Sequence, residues 1–255
     1  MRGFMTEIVN SSVQTSPVPI SPKSVVEELH ARCGTALFAS LSSDYEARLG
    51  QSYVFLGDIE AWRKVLKQQP ESKLFETATQ EYAISLLNVC QGQYRNAFKG
   101  LRLVLELCLQ GTYLSANQVL LSEWLQSEAD TVWTTLVDPE SGPLSKRFCS
   151  AFFPELLDHV ANFREMAKTV YRELSECIHG NVPNHIPLPA SLAFDRETFL
   201  LWHDKANIVR LVILFSLSVR YLAAVPEKAA IESGLIEQLG HIEAIRVMLG
   251  GAKAA

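Results

Sequence analysis

The sequence predicts an all-α protein, on composition and on hydrophobic patterning. Helix formers such as Leu, Ala, Glu, Gln and Lys dominate the 255 residues, whereas alternating β-branched runs and Asn-Gly turns are scarce. Apolar residues recur instead at spacings of three and four through most of the chain. Hydrophobic residues make up 48% of the chain, which allows a substantial core in one large domain or two small ones.

Charge and local composition exclude several functional classes. A net charge of −5 predicts that any contact with nucleic acid is local. The stretch 208–225 is the most apolar, but Arg210 and Arg220 leave nine residues between charges, against about 20 for a membrane span. Residues 1–20 lack the apolar core of a secretory signal, and the five cysteines lack C-x-x-C spacing, which is typical of reduced thiols. We therefore expect a cytoplasmic protein without a membrane anchor.

The chain divides into four segments by composition and helix signals. We expect a flexible arm, then N-terminal helices that pack on a bundle, then the bundle itself and a C-terminal helix, over residues 1–20, 21–70, 71–225 and 226–255.

Two N-terminal helices are predicted from capping-box spacings. Ser24 with Glu27 marks the first helix, and Ser43 with Glu46 marks the second. Pro70 is expected to close the second helix.

The next elements form a predicted αα-hairpin. Residues 71–90 and 93–113 each carry an amphipathic stripe, and Gly92 lies between them. Two helices joined by such a short turn pack antiparallel. A short helix is predicted to follow over residues 118–126.

The second half of the chain begins with the turn-rich run 138–145. A helix is predicted from Pro154 to about His179, because Gly180 is a good C-terminal cap. The three prolines of 181–191 exclude helix there. The last two helices are predicted over residues 196–224 and 226–249.

The best candidate for a functional centre is YRELSECIHG, residues 171–180. Arg172 and His179 are seven residues apart, so on a helix they lie within ~20° of one face and ~10.5 Å apart along the axis. Ser175 lies near the same face. An imidazole exchanges protons near neutral pH and a guanidinium stabilises phosphate charge, which together suit a phosphodiester. The alternative is a solvated Arg172 and a His179 favoured by the helix dipole.

A second candidate is Glu106, because its helix is otherwise apolar and a buried carboxylate is costly unless paired. A pair with Arg102, one turn earlier, explains it equally well. If Glu106 instead faces the helix of Arg172 and His179, it can orient either group and shift its pKa.

Further substrate contacts are expected from cations on the same helix. Arg95, Lys99 and Arg102 lie near Tyr94 and fit a small RNA-facing patch, although helices commonly carry a solvated charged face. His185 follows on a proline-rich loop and can approach a substrate, although a loop histidine among prolines is more often a simple turn residue.

A metal site is the remote alternative. Glu176 with His179, and Glu27 with His30, have the spacing of di-iron ligands in helical bundles, and Glu106 could add a third carboxylate. The fourth carboxylate that such a site needs is not evident.

The chain resembles the HEPN superfamily of helical bundles, especially its bacterial stress and phage-defence branches. The resemblance is carried by the hairpin sequence GQYRNAFKGLRLVLELCLQGTYL, residues 92–114, together with YRELSECIHG. In that superfamily an Arg followed by four to six residues and a His is the catalytic motif, which Arg172 and His179 fit. An acidic residue on a preceding helix is often recruited, and Glu106 matches it. The resemblance covers roughly residues 75–225.

This resemblance implies an antiparallel helical bundle of HEPN type with extra N- and C-terminal helices. It also implies a metal-independent endoribonuclease without a cofactor, in which the ribose 2′-hydroxyl attacks the adjacent phosphate and leaves a cyclic phosphate. His179 would act as general base or acid, Arg172 would hold the phosphate, and Ser175 would donate a hydrogen bond.

The implied partners are RNA, a second copy of the chain in a homodimer, and an antitoxin or defence-system protein. The implied role is a toxic effector in phage defence or a toxin–antitoxin system. Glu173 motivates an alternative, which is a non-catalytic HEPN-like module for dimerisation or partner binding. Its negative charge would repel a phosphate. A purely architectural helical scaffold is the third hypothesis.

Overall fold

A computed structural model describes residues 21–178, 188–189, 191–226 and 228–253. Within these ranges the chain forms eleven α-helices and two single 3-10 turns, and it contains no β-strand, so the predicted all-α class is confirmed. The helices are α1 (Pro22–Ser40), α2 (Glu46–Val65), α3 (Ser72–Cys90), α4 (Tyr94–Leu114), α5 (Gln118–Leu125), α6 (Trp133–Leu136), α7 (Lys146–Phe152), α8 (Leu157–Ile178), α9 (Arg196–Tyr221), α10 (Ala229–Leu239) and α11 (Glu243–Met248).

The two N-terminal helices differ from their predicted boundaries. α1 begins earlier than the Ser24 signal, because the Ser21 hydroxyl accepts the Ser24 N–H at 3.1 Å and Pro22 occupies the first helical turn. α2 ends at Val65, and Pro70 lies in the turn that follows rather than closing the helix itself.

The predicted αα-hairpin is present as α3 and α4. The turn requires Gly92, which has φ +70° and whose added Cβ would lie 2.6 Å from the Ala193 carbonyl oxygen. Glycine also allows the two helices to approach closely, since a Cβ on Gly111 would lie 2.7 Å from the Phe75 ring. Ser85 donates a hydrogen bond across the pair to a carbonyl of α4 at 2.6 Å. Helix α8 packs against the α4 helix of this hairpin.

The core of the described chain is built around α9, which packs against α2, α3, α4, α7, α8 and α10. Most of the apolar stretch 208–225 lies in α9 and is buried. No helix in the described ranges combines the length and apolar character needed to cross a membrane. Arg210 interrupts the stretch and is only 2% exposed. Its guanidinium donates to Asp58 on α2 at 2.6 Å and to Glu237 on α10 at 2.9 Å, so a charge cluster around a buried arginine joins three helices.

The C-terminal segment contains two helices where a single one was expected. The chain leaves α10 at Gly240, and Ile242 adopts an extended conformation with ψ 111° before α11 begins. Leu239, Ile242 and Ile245 are all buried, so the bend keeps both short helices in contact with the core. Burial of these side chains on both sides of the bend offsets the helical hydrogen bonds that the bend removes.

Candidate nucleic-acid interface

α4 and α8 pack antiparallel with a register that two side-chain hydrogen bonds define. Arg102 Nη2 donates to the Tyr171 hydroxyl at 2.5 Å, and Arg95 Nη1 donates to the Ile178 carbonyl. The bonds are seven residues apart on both helices, so residues 95–102 run alongside residues 171–178. The structure therefore brings together the two sequence segments that were singled out independently. We call the surface along which residues 95–102 and 171–178 meet the α4–α8 groove.

The α4 side of the groove carries positive charge. Arg95, Lys99 and Arg102 follow one another at helical spacings of four and three, which places them on one face. Lys99 is exposed and has no ion pair within the described ranges, and the described partner of Arg95 is a neutral carbonyl. Both cations therefore keep their charge available to an anionic ligand, as the predicted RNA-facing patch requires.

Glu106 lies at the far end of this stripe, where it pairs with Arg102 and contacts Tyr171 on α8. Its carboxylate accepts a hydrogen bond from Arg102 Nε at 3.2 Å, which is the i, i+4 pair. It also reaches α8, but through Tyr171 and not through Arg172. Burial, reinforced by the hydrogen bond to Glu106, raises the pKa of Tyr171 to about 12, so the phenol stays protonated at neutral pH. Glu106 thus positions an Arg–Tyr contact in the groove.

Arg172 points away from the core, with its side chain 70% exposed. Its nearest acidic partner is Glu176, one helical turn later, at 3.8 Å, a distance at which an exposed pair is weak. The guanidinium is therefore free to bind a ligand in solution. Ser175 is less available to a ligand than predicted, because its hydroxyl donates a hydrogen bond to the Tyr171 carbonyl of the same helix at 2.7 Å.

Glu173 does not share a face with Arg172, since adjacent helical residues are ~100° apart. Its carboxylate accepts a hydrogen bond from Lys205 on α9 at 2.7 Å. The negative charge that motivated a non-catalytic interpretation is therefore neutralised on the α9 side of the helix and directed away from the groove.

An aromatic pair that was not predicted borders the groove. The indole of Trp133, at the start of α6, stacks on the Tyr171 ring with centroids 3.7 Å apart and planes 5° from parallel. The Arg102 guanidinium also lies 4.5 Å from the centre of that ring. The sequence did not predict this contact, because no local spacing connects Trp133 with a residue 38 positions later.

Two of the clefts on the described surface can be compared with the predicted site. One, of about 430 Å³, opens at the start of α4 beside the groove and is lined in part by Gln93, Arg95, Asn96 and Ser191. It extends the polar surface toward the end of α8. The other, of about 530 Å³, lies between the start of α8 and α11, and no residue predicted for the site lines it.

Several residues that were predicted for a catalytic or metal site lie outside the described ranges or away from the groove. His179, Gly180 and His185 lie outside the described residues, so the pairing of Arg172 with His179 stays a prediction. Glu27 and His30 are exposed on α1. Within the described ranges, no three His, Cys, Asp or Glu side chains come close enough to hold a metal ion, so the di-iron hypothesis gains no support from that part of the chain.

His203, a titratable residue that the sequence did not single out, is buried away from the groove. One of its ring nitrogens lies 2.6 Å from the Ser52 hydroxyl, and the side chain is only 3% exposed. Burial, assisted by the positive charge of Arg48, lowers the pKa of His203 to about 4. The ring is therefore neutral at pH 7 and belongs to the α2–α9 packing.

Comparison with known proteins gives no relative: no family model, no curated protein and no solved structure matches this chain. The structure defines an α-helical protein in which α4 carries Arg95, Lys99 and Arg102 along its contact with the antiparallel helix α8.

Proposed function

We propose that this chain is a HEPN-like protein that acts on RNA as a metal-independent endoribonuclease. The observation that carries the proposal is the α4–α8 register, which sets Arg95 and Lys99 beside the segment that presents Arg172 to solvent. A local cluster of cations binds phosphates even on a chain of net charge −5, because screening limits the influence of distant charges.

The proposed reaction is an internal transesterification. The ribose 2′-hydroxyl loses its proton to His179 and attacks the adjacent phosphorus, and the bond from phosphorus to the 5′ oxygen breaks. The 5′ oxygen takes a proton from water, and the hydroxide left behind takes the proton back from His179. The products carry a 2′,3′-cyclic phosphate and a 5′-hydroxyl. Arg172 would hold the non-bridging phosphate oxygens, for which a guanidinium is suited by its planar fork of donors. The charge balances without a metal ion.

Two further elements of the proposal come from the HEPN resemblance. A homodimer would bring two copies of the 171–180 segment together in one composite site. The protein would act as a toxic effector in phage defence or in a toxin–antitoxin system. A partner protein would inhibit it.

The test compares RNA cleavage and growth arrest by the native chain, Arg172→Ala and His179→Ala, with EDTA present in the cleavage assay. Loss of the base should lower the cleavage rate by about 10²- to 10⁴-fold. Loss of the phosphate-binding group should lower it by about 10²- to 10³-fold.

Arg32→Ala is a matched control, because Arg32 is also an exposed helical arginine with a glutamate one turn away. It should cleave RNA like the native chain. Equal cleavage by all four folded proteins would contradict the proposal.

A non-catalytic partner-binding module is the second candidate, and α1 is the observation that favours it. Val25, Val26 and Leu29 lie on the same ~100° arc of the helix as the buried Ala36 and Ser40. Yet they are 42%, 65% and 45% exposed, so the apolar stripe continues beyond its described packing. A native chain that arrests growth or binds a partner while neither binding nor cleaving RNA would favour this candidate.

A further inference from the structure

A large aromatic side chain, Trp133, lies next to the cations of the groove. Trp133 begins α6, a helix of four residues in which only Leu136 is buried. Its sequence neighbours Val132 and Thr134 are exposed, and Trp133 itself is half-buried and packs against the core. A large aromatic side chain is therefore only partly covered beside a positively charged helix face.

The indole is held in a fixed orientation. Its ring lies nearly parallel to Tyr171, which is itself held by the Arg102 hydrogen bond to its hydroxyl and by the same guanidinium above its ring. Glu106 in turn fixes Arg102. A side chain that is ordered before the ligand arrives loses little conformational entropy on binding, which favours a role in recognition.

The aromatic pair and the cations beside it together match the features of a binding site for a single nucleic-acid strand. Single-strand binding sites combine cations that follow the backbone with aromatic rings on which bases stack. Lys99 lies one helical turn from Arg102, and Arg95 one turn further on, so the cations form a row that starts at the aromatic pair.

We propose that Trp133 stacks on an unpaired base of the bound RNA, while the phosphates of that strand follow Lys99 and Arg95. This assignment rests on the proposed function, because it presumes that RNA occupies the α4–α8 groove. It adds a binding residue from a part of the chain that the catalytic motif does not include.

A structural role for Trp133, anchoring the segment between α5 and α7 to the bundle, predicts different behaviour. Loss of such an anchor would lower stability, but RNA would not change the fluorescence of the indole. A stacked base does quench indole fluorescence, so the two roles are separable in one titration.

The experiment titrates the full chain with a short single-stranded RNA of mixed sequence whose 2′-hydroxyls are methylated, so that it binds without being cleaved. We expect the RNA to quench tryptophan fluorescence of the native chain and of Trp124→Phe, the matched control. Trp133→Phe should lose most of that quenching, and Trp133→Ala should bind about 5- to 150-fold more weakly. Trp62 and Trp202 are buried and should report no change.

The outcomes separate the two proposals. If the native chain binds the RNA but Trp133→Phe is quenched as strongly, or folded Trp133→Ala binds as tightly, the stacking assignment is wrong and the RNA-binding function stands. If the native chain binds no RNA at all, both are wrong. Trp133→Phe keeps the test valid where Trp133→Ala fails to fold.

Discussion

The guanidinium of Arg102 on α4 donates a hydrogen bond of 2.5 Å to the hydroxyl of Tyr171 on α8. Tyr171 is the residue immediately before Arg172, so this bond sets the rotation of the helix that presents the candidate phosphate-binding group. A change at either residue should therefore affect both stability and the groove.

Tyr171→Phe should lower the free energy of unfolding by about 1–2 kcal/mol, because a hydrogen bond from a charged donor is lost at a half-buried site. Urea denaturation measures this change. Tyr53→Phe is the control, since Tyr53 is 69% exposed and should change stability little. Equal stability of Tyr171→Phe and the native chain would show that the bond contributes little to the register.

Stability should fall between pH 6.5 and pH 4 because of His203. The unfolded ring has its ordinary pKa near 6.5 and the folded ring a pKa of about 4, so the unfolded state binds more protons in this window. The contribution is fully present above pH 6.5 and is lost as the pH falls, amounting to about 2 kcal/mol by pH 5.

Urea denaturation of the native chain and His203→Gln at pH 7.5 and pH 5 tests this effect. The variant should be less stable at pH 7.5 but should show a smaller difference between the two pH values. His30→Gln, at an exposed position on α1, should retain the native pH dependence. The same pH dependence in His203→Gln and the native chain would exclude His203 as its source.

Asp58→Ala should lower the free energy of unfolding by about 3–5 kcal/mol, because it leaves the buried Arg210 without one of its two carboxylate partners. Chemical denaturation measures the loss. Asp204→Ala is a matched control, since it breaks a bond of 2.9 Å to Arg48 in which both side chains are about half exposed. That change should cost less than about 1 kcal/mol, and similar losses from the two variants would contradict the account of the cluster.

Two glycine substitutions should change stability in opposite directions. Gly92→Ala should cost about 1–3 kcal/mol, because its φ is positive and the new Cβ would meet the Ala193 carbonyl. Gly57→Ala lies within α2 with open space around the new Cβ and should gain about 0.5–1 kcal/mol. Thermal unfolding of both variants measures the signs, and a stabilising Gly92→Ala would show that the turn tolerates another conformation.

The elements predicted best are those whose signals are local. The stripes of α3 and α4, the Gly92 turn and the long helix that begins near Pro154 follow from the spacing of apolar residues and from capping residues. The bend at Gly240 was missed because helical periodicity continues through it, and only packing against the core explains it.

The placement of the candidate site residues could be predicted only in part, for the same reason. Arg95, Lys99 and Arg102 could be placed on one helix face from spacing alone, and the structure adds that this face borders the segment of Arg172. Contacts such as Trp133 with Tyr171, or Lys205 with Glu173, join residues 38 and 32 positions apart. No periodicity encodes such pairs, because they depend on how separate helices pack.

Cleavage of RNA by 2′-hydroxyl attack, at a site built on Arg172 and His179, is tested most directly by the end chemistry of RNA incubated with the native chain in EDTA. We expect fragments with 2′,3′-cyclic phosphate and 5′-hydroxyl ends, and no cleavage where the scissile nucleotide lacks its 2′-hydroxyl. Fragments with 3′-hydroxyl ends, or cleavage that EDTA abolishes, would show that the proposed reaction is wrong.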